Sequence, residues 1–142
     1  MTGSGAMTEP SVELHRPAAL AAGVPYAYAA TARGRPFLVF TAGACPLDGS
    51  GATVAPGDVE AQAEQAMVNL GEALRAATAR LDDVVKLTVY VASGERAELV
   101  AAWGVVRRHF GAHDPPSTLL GVTALGYPDQ LVEVEAIAAL AG

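Results

Sequence analysis

The alternation of apolar and polar side chains along the chain predicts two long strands. It is sharpest over residues 131–139, where every second side chain is apolar and Glu133 and Glu135 lie on the opposite face. A period of two is typical of a half-buried strand. Residues 84–91 are rich in β-branched side chains, which favours a second strand. Its polar face is expected to carry Lys86, Thr88 and Tyr90, and its apolar face Val85, Leu87, Val89 and Val91.

Shorter apolar segments predict four further strands. The continuous apolar run at 37–41 is typical of a strand buried on both faces. The other three are expected at 12–15, 26–31 and 117–122. Residues 46–57 hold three Gly and two Pro, which predicts a surface loop or hairpin.

Apolar spacings of three and four residues predict two helices. The first follows Asp58, a good N-cap residue, and runs for about twenty residues. Its apolar positions are Val59, Ala63, Ala66, Met67, Leu70, Ala73, Leu74 and Ala77. The second starts at Ser93 or Gly94 and stops at Gly111. Its apolar stripe is Leu99, Trp103, Val106 and Phe110.

The predicted order β-β-β-α-β-α-β-β indicates an α+β fold, a mixed sheet with both helices on one face. No third long helix is predicted to cover the other face, so we expect other copies of the chain to cover it in a closed ring. Residues 11–142 are expected to form a single domain. The first ten residues resemble a disordered or vector-derived tail, and Met7 could be the native start.

Composition and charge exclude several classes of protein. Apolar residues make up 51% of the 142 positions, which excludes a disordered chain. The net charge of −6 disfavours nucleic-acid and membrane-surface partners. Neither a membrane-spanning apolar run nor a signal peptide is present, so we expect a cytoplasmic protein. The single cysteine excludes an internal disulfide and a cysteine-based zinc site.

The residues alone leave the chemistry open. Glu133 and Glu135 are either a solvated pair, balanced in part by Lys86, or carboxylates held in a cleft to activate water. Cys45 is interpreted as a buried, inert thiol, and Trp103 as a core residue. The three histidines lack metal-ligand spacing, so no metal site is expected.

Several segments, taken in order, resemble motifs of the RidA (YjgF) family of small trimeric proteins. Residues 81–90, Leu-Asp-Asp-Val-Val-Lys-Leu-Thr-Val-Tyr, are close to its central signature. Residues 58–70 resemble its Asp-x-x-x-Gln-x-x-x-x-x-x-Asn-Leu helix. The other matches are Pro25-Tyr26, the strand and turn at 37–46, Phe110-Gly111-Ala112-His113 and residues 131–138. The resemblance covers about residues 20–139.

This resemblance implies a fold similar to chorismate mutase from bacilli, with three copies forming a homotrimeric barrel and small-molecule clefts between subunits. The best-known members hydrolyse reactive imines and enamines to ammonia and a keto acid, without cofactor or metal. A ribonuclease name is also attached to the family, but the charge of −6 disfavours that activity here.

The resemblance also implies roles for particular residues. Glu133 matches the carboxylate that handles water or a proton, and Tyr26 matches the cleft tyrosine, so both are predicted to be catalytic. The predicted substrate-binding residues are Gly43, Ala44, Ser117, Thr118 and Trp103. Of these, Ala44 stands at the family's Gln position and Trp103 at its Asn position in the second helix.

One departure from the family pattern changes the expected substrate. The family arginine that binds the substrate carboxylate is Ser117 here. A hydroxyl cannot replace a bidentate guanidinium, and losing such a pair costs on the order of 2–5 kcal/mol of binding. The sequence therefore predicts hydrolysis of an imine or enamine other than a simple 2-imino acid. The alternative is a non-catalytic protein that binds a small apolar or aromatic metabolite.

Overall fold

The computed structural model describes residues 12–141, so the predicted tail at 1–10 lies outside the described residues. Within them the elements follow the predicted order, which is confirmed. The strands are β1 (Val12–His15), β2 (Ala29–Ala32), β3 (Phe37–Phe40), β4 (Val84–Val91), β5 (Ser117–Gly121) and β6 (Val132–Leu140). The helices are α1 (Val59–Ala76) and α2 (Arg96–Phe110), with a short 3-10 turn at Leu81–Asp83.

The main sheet has four strands in the order β3-β6-β4-β5. The β4–β5 pair is parallel and the other two pairs are antiparallel, so the sheet is mixed, as predicted. Strands β1 and β2 form a separate antiparallel pair. The prediction of a strand from Tyr26 was wrong at its start, because β2 begins at Ala29 and Tyr26 lies in the preceding turn.

Helix α1 begins as predicted, since the Asp58 carboxylate accepts a hydrogen bond from Ala61 N at 3.0 Å. Its buried face differs from the apolar pattern at three positions, one of which is Ala77, the half-buried C-cap residue after the helix. Ala73 is exposed, whereas the polar Gln62 is completely buried. None of the helices among the described residues is long and apolar enough to cross a membrane.

Helix α2 begins at Arg96 rather than at Ser93 or Gly94. Ser93 lies before the helix, where its Oγ accepts a hydrogen bond from Glu95 N at 3.0 Å. The predicted stop at Gly111 is confirmed: its φ of +62° is one that a residue with a side chain rarely adopts.

Both helices pack on the same face of the sheet. On β6 this face carries Val132, Val134, Ala136 and Ala138, all buried as predicted. On β4 the prediction was wrong at one position: Val84, not Val85, joins the core. The pairing of β4 with β6 shifts by one residue between Val84 and Lys86, and this bulge moves Val85 out of the alternation.

No helix of residues 12–141 packs on the other face of the sheet, and we refer to it as the open face. Its large apolar side chains include Leu38 (52% exposed), Phe40 (68%) and Leu120 (43%). The expectation that β3 is buried on both faces is therefore wrong for the single chain. Leu38 and Phe40 pair with Ala139 and Ile137 on the open face, and no element of residues 12–141 packs over them.

Candidate functional site

Glu133 lies near the start of β6 and points away from the helices. Its Oε1 accepts two hydrogen bonds, from Cys45 Sγ at 3.2 Å and from Gln130 Nε2 at 3.1 Å. We refer to Gly43, Cys45, Gln130 and Glu133 as the Glu133 cluster. No donor in residues 12–141 is bound to the other carboxylate oxygen, Oε2. The arrangement fixes one oxygen and leaves the second to contact another molecule.

The turn after β3 brings Gly43 against this second oxygen. Ala44 pairs with Val134 through hydrogen bonds of 2.7 and 3.1 Å, which anchors the turn beside β6. A Cβ atom added at Gly43 would lie 2.1 Å from Glu133 Oε2. Only glycine therefore leaves room for the carboxylate in this position.

Two polar side chains of α1 hold the loops that carry the cluster. The amide nitrogen of Asn69 donates to Cys45 O at 2.8 Å and to Leu47 O at 2.9 Å. Seven residues earlier, on the same side of the helix, Gln62 donates to Asp129 O at 2.9 Å and accepts from Leu131 N at 2.7 Å. The two motif residues on α1 thus position the loops on both sides of Glu133.

The thiol of Cys45 is half-buried beside a carboxylate. Burial, and then the hydrogen bond and negative charge of Glu133, raise the pKa of Cys45 to about 11. The group is therefore a protonated donor at neutral pH rather than a thiolate nucleophile. This agrees with the interpretation of an inert thiol, but its partner, 88 residues away, was not predicted.

Glu135 has a different environment from Glu133. Its Oε1 accepts a short hydrogen bond of 2.6 Å from the Tyr90 hydroxyl, and this bond raises the pKa of Tyr90. Lys86 donates to Thr118 Oγ1 at 2.8 Å instead of bonding either carboxylate. The interpretation that Lys86 balances the two carboxylates is therefore wrong. Lys86 and Glu135 both line a shallow cavity of about 190 Å³ on the open face.

A second group of predicted residues surrounds a cavity of about 340 Å³ at the outer edge of the sheet. We refer to this cavity as the Trp103 pocket. Its lining consists of Tyr26, Trp103, Ser117, Thr118 and Leu119, none of them charged. Trp103 is half-buried and also packs against the core, so its ring contacts both the core and the pocket. The Ser117 hydroxyl donates to Pro115 O at 2.8 Å.

Tyr26 reaches this pocket because the segment before β2 is tied to the loop after α2. Arg16 donates to Tyr26 O at 2.9 Å and forms a salt bridge with Asp114 at the same distance. Ala27 N donates to Asp114 O, again at 2.9 Å. The Tyr26 ring also packs edge-on against Tyr28, with the centroids 5.7 Å apart.

The structure therefore divides the predicted site residues between two places. Glu133, Gly43 and Ala44 lie around β6, whereas the other four line the Trp103 pocket beside β5. Strand β4 separates β5 from β6, so the lateral distance is two strand spacings of about 4.8 Å each. The register places Ser117 level with Ala136, three residues along from Glu133. Within one chain the two groups do not form a common cleft.

Sequence reasoning missed Gln130 and the contact of Cys45 with Glu133. Gln130 is 4% exposed, and its position three residues before Glu133 was the only available signal. Among residues 12–141 no group of three or more His, Cys, Asp or Glu side chains is arranged to hold a metal ion.

Comparisons with known proteins agree with this architecture. A family model described as Endoribonuclease L-PSP matches residues 15–140. A RutC family protein of Pyrococcus horikoshii is 33% identical over 100 residues, which is 70% of this chain and 77% of that protein. A 2-iminobutanoate/2-iminopropanoate deaminase of Capra hircus is also 33% identical over 100 residues, covering 70% of this chain and 71% of that enzyme. Among solved structures, the conserved Rid-family protein YyfB of Yersinia pestis superimposes with a TM-score of 0.83 at 32% identity, covering 92% of this chain and 99% of that one.

A mixed sheet with two helices on one face, shared over most of both chains, defines an α+β protein of the Rid type. The chain belongs to the RidA/YjgF family. The resemblance read from the ordered sequence motifs is confirmed, and so is the α+β fold of the single chain, a mixed sheet with two helices.

Proposed function

We propose that the protein is a homotrimeric hydrolase of reactive imines or enamines other than simple 2-imino acids. Its clefts would join the Glu133 cluster of one copy to the Trp103 pocket of the next copy. The observation that carries the proposal is the geometry of Glu133, one oxygen of which is held by two donors while the other is free beside Gly43. The similarity to 2-iminobutanoate/2-iminopropanoate deaminases supports the reaction class.

In the proposed reaction, Glu133 acts as the general base and then as the general acid. Its Oε2 takes a proton from water while the water oxygen attacks the imine carbon and the C=N electron pair moves to nitrogen. That proton passes to the nitrogen and gives a carbinolamine. Glu133 then moves the hydroxyl proton to the same nitrogen, the C–N bond breaks, and ammonia leaves as the carbonyl forms. The balance is one imine and one water consumed, with one carbonyl compound and one ammonia released.

The lining of the Trp103 pocket supports the restriction on the substrate. All five lining residues are uncharged, and the Ser117 hydroxyl already donates to Pro115 O. The ammonium group of Lys86 bonds the Thr118 hydroxyl and does not line the pocket. A substrate carboxylate would lose its hydration here without gaining a cationic partner, which is unfavourable. An uncharged apolar or aromatic end fits the pocket better.

Two features support assembly into a trimer. The predicted site residues lie in two places of one chain, and a neighbouring copy is the simplest source of the missing part. In addition, Leu38, Phe40 and Leu120 leave apolar area exposed on the open face. Monomers seldom expose such a surface, whereas subunit contacts bury it.

A second candidate function is binding without catalysis. The aromatic walls that Tyr26 and Trp103 give to a cavity of about 340 Å³ favour a small apolar or aromatic ligand. In this case Glu133 would orient the ligand by a hydrogen bond and transfer no proton.

The testing experiment measures ammonia release from two kinds of imine. One is 2-iminobutanoate, generated in situ by a threonine dehydratase, and the other is a panel of imines without a carboxylate. Wild type is compared with Glu133→Gln and with Ser117→Arg. We expect wild type to prefer the uncharged imines, Glu133→Gln to lose at least about 100-fold of the rate, and Ser117→Arg to gain about tenfold or more on 2-iminobutanoate.

The outcomes separate the candidates. Rapid hydrolysis of 2-iminobutanoate by wild type would contradict the substrate restriction. No ammonia release from any imine, together with binding of a neutral aromatic compound, would favour the non-catalytic protein. A Glu133→Gln variant that keeps most of the activity would exclude Glu133 as the base.

A further inference from the structure

We infer that Cys45 and Gln130 are positioning residues that hold the Glu133 carboxylate by its Oε1, so that Oε2 alone is presented to the cleft. The inference rests on the proposed function for its catalytic consequence, but the contact itself can be tested without any activity. Both donors come from loops outside β6, and neither was a predicted site residue.

The Gln130 amide is fully used in this arrangement. Its nitrogen donates to Glu133 Oε1 and to Val132 O, each at 3.1 Å, and its oxygen accepts from Tyr127 N at 3.0 Å. Both ends of the amide are bonded and the side chain is 4% exposed, so turning it would leave buried polar groups without partners. Its donor to Glu133 is therefore fixed in direction.

Cys45 supplies the second donor. Its carbonyl is held by Asn69 at 2.8 Å, and the neighbouring Ala44 pairs with β6, so the backbone of the donor is fixed as well. The raised pKa, about 11, keeps the proton on sulfur at neutral pH. A thiolate would repel the carboxylate instead of bonding it, so the protonated thiol is the form that can position Glu133.

The two donors and Gly43 restrict the carboxylate from opposite sides. Oε1 is drawn to Sγ and Nε2, while the missing Cβ of Gly43 leaves a space that Oε2 occupies. Loss of one donor should let the carboxylate rotate and lower the fraction of molecules in the reactive geometry. That loss affects kcat more than KM, because a general base acts in the chemical step.

The first test uses the single cysteine of the chain as a reporter. Alkylation by iodoacetamide at pH 9 consumes the thiolate, so its rate follows the pKa of Cys45. We expect Glu133→Gln to accelerate alkylation several-fold, because the carboxylate raises that pKa. Gln130→Leu is the matched control: it opens the same cluster, but the Gln130 amide lowers the pKa of Cys45, so its loss should not accelerate the reaction.

The second test measures hydrolysis of the best imine found in the panel. We expect Cys45→Ala to lose about tenfold in kcat with little change in KM, and Cys45→Ser, which keeps a donor, to stay within about threefold of wild type. Circular dichroism and size-exclusion chromatography show whether each variant keeps its fold and assembly.

The outcomes separate the held carboxylate from the proposed function. Equal alkylation rates in wild type and Glu133→Gln would overturn the inference even if the enzyme is active. Equal acceleration in Glu133→Gln and Gln130→Leu would also overturn it, because it would report a loosened cluster and not the carboxylate charge. Suppose that only Glu133→Gln accelerates alkylation and that the wild-type protein hydrolyses no imine. This pair of results would support the held carboxylate and overturn the proposed function. Equal kcat in Cys45→Ala and wild type would overturn the positioning role.

Discussion

The Glu133 cluster and the Trp103 pocket lie on the same sheet but are constructed differently. Around the Glu133 cluster, the side-chain amides of Gln62 and Asn69 on α1 and of Gln130 before β6 fix the loops by several hydrogen bonds. In the Trp103 pocket, side-chain packing dominates, and its Ser117 hydroxyl bonds only the neighbouring carbonyl of Pro115. The Glu133 cluster is suited to holding a charged group in a defined direction, and the Trp103 pocket to binding an apolar group.

This difference explains how a change of substrate can leave the chemistry intact. A hydrogen-bonded network loses function when any partner is removed, because a buried polar group is left unsatisfied. A packed pocket tolerates changes of size and charge at its lining. On the proposed function, serine in place of the family arginine at position 117 would alter what binds without disturbing the groups around Glu133. The three predictions below test whether the two parts cooperate and whether they differ in this way.

The largest effect is expected from mixing two inactive variants. Glu133→Gln disables the cluster, and Ser117→Phe fills the Trp103 pocket. If each cleft takes one part from each of two copies, random mixed trimers restore both intact parts in about one cleft of four. Ammonia release after subunit exchange should therefore rise from near zero to about a quarter of the wild-type rate.

The control for this mixture combines Glu133→Gln with Gly43→Ala. Both changes damage the Glu133 cluster, so no mixed cleft contains an intact one and no comparable activity should return. Absence of recovery with Ser117→Phe, in trimers shown by mass spectrometry to be mixed, would place both parts of the site within one chain or exclude cooperation between them.

A smaller but selective effect is expected from Gly43→Ala. The new methyl group would lie 2.1 Å from Glu133 Oε2 and 2.7 Å from its Cγ, so the Glu133 side chain must turn aside. We expect kcat to fall about 10- to 100-fold, because a displacement near 1 Å is enough to spoil a reacting geometry. The melting temperature should change little, since the displaced group is the end of a half-buried side chain.

Gly49→Ala is the matched control, because no atom lies within 4 Å of a Cβ at that position. It should leave kcat and the melting temperature at the wild-type values. A Gly43→Ala variant with wild-type kcat would show that the position of Oε2 does not matter for the reaction.

The last prediction compares how much a polar side chain near each part contributes to the free energy of unfolding. Gln62→Leu keeps the volume of a completely buried side chain but leaves Ala55 O, Asp129 O and Leu131 N without their partner. We expect the free energy of unfolding to fall by about 2–3 kcal/mol. Ser117→Ala, which removes one hydroxyl from the Trp103 pocket, should cost less than about 1 kcal/mol.

Urea denaturation at one fixed protein concentration measures both values, because the stability of an oligomer depends on concentration. Equal losses in the two variants would contradict the difference in construction between the cluster and the pocket.

Much of the fold could be predicted because its determinants are local. The alternation in β6, the N-cap at Asp58 and the stop at Gly111 each depend on a few neighbouring residues. Two of the errors arose where contacts between distant segments decided the outcome. The bulge at Val85 depends on how β4 pairs with β6, and the exposure of Phe40 depends on which face of the sheet the two helices cover.

The site residues show the same division. The residue types at Glu133, Tyr26, Gly43 and Ser117 could be selected by their place in ordered motifs, so the sequence alone determined the candidate chemistry and the absence of an arginine at position 117. The tertiary structure alone decided which of them meet. Cys45 bonds Glu133 across 88 residues of sequence, whereas Ser117, only 16 residues before Glu133, is kept apart from it by β4. Strand order, not sequence separation, sets these distances. The strand order in turn depends on the burial of the whole sheet against its two helices.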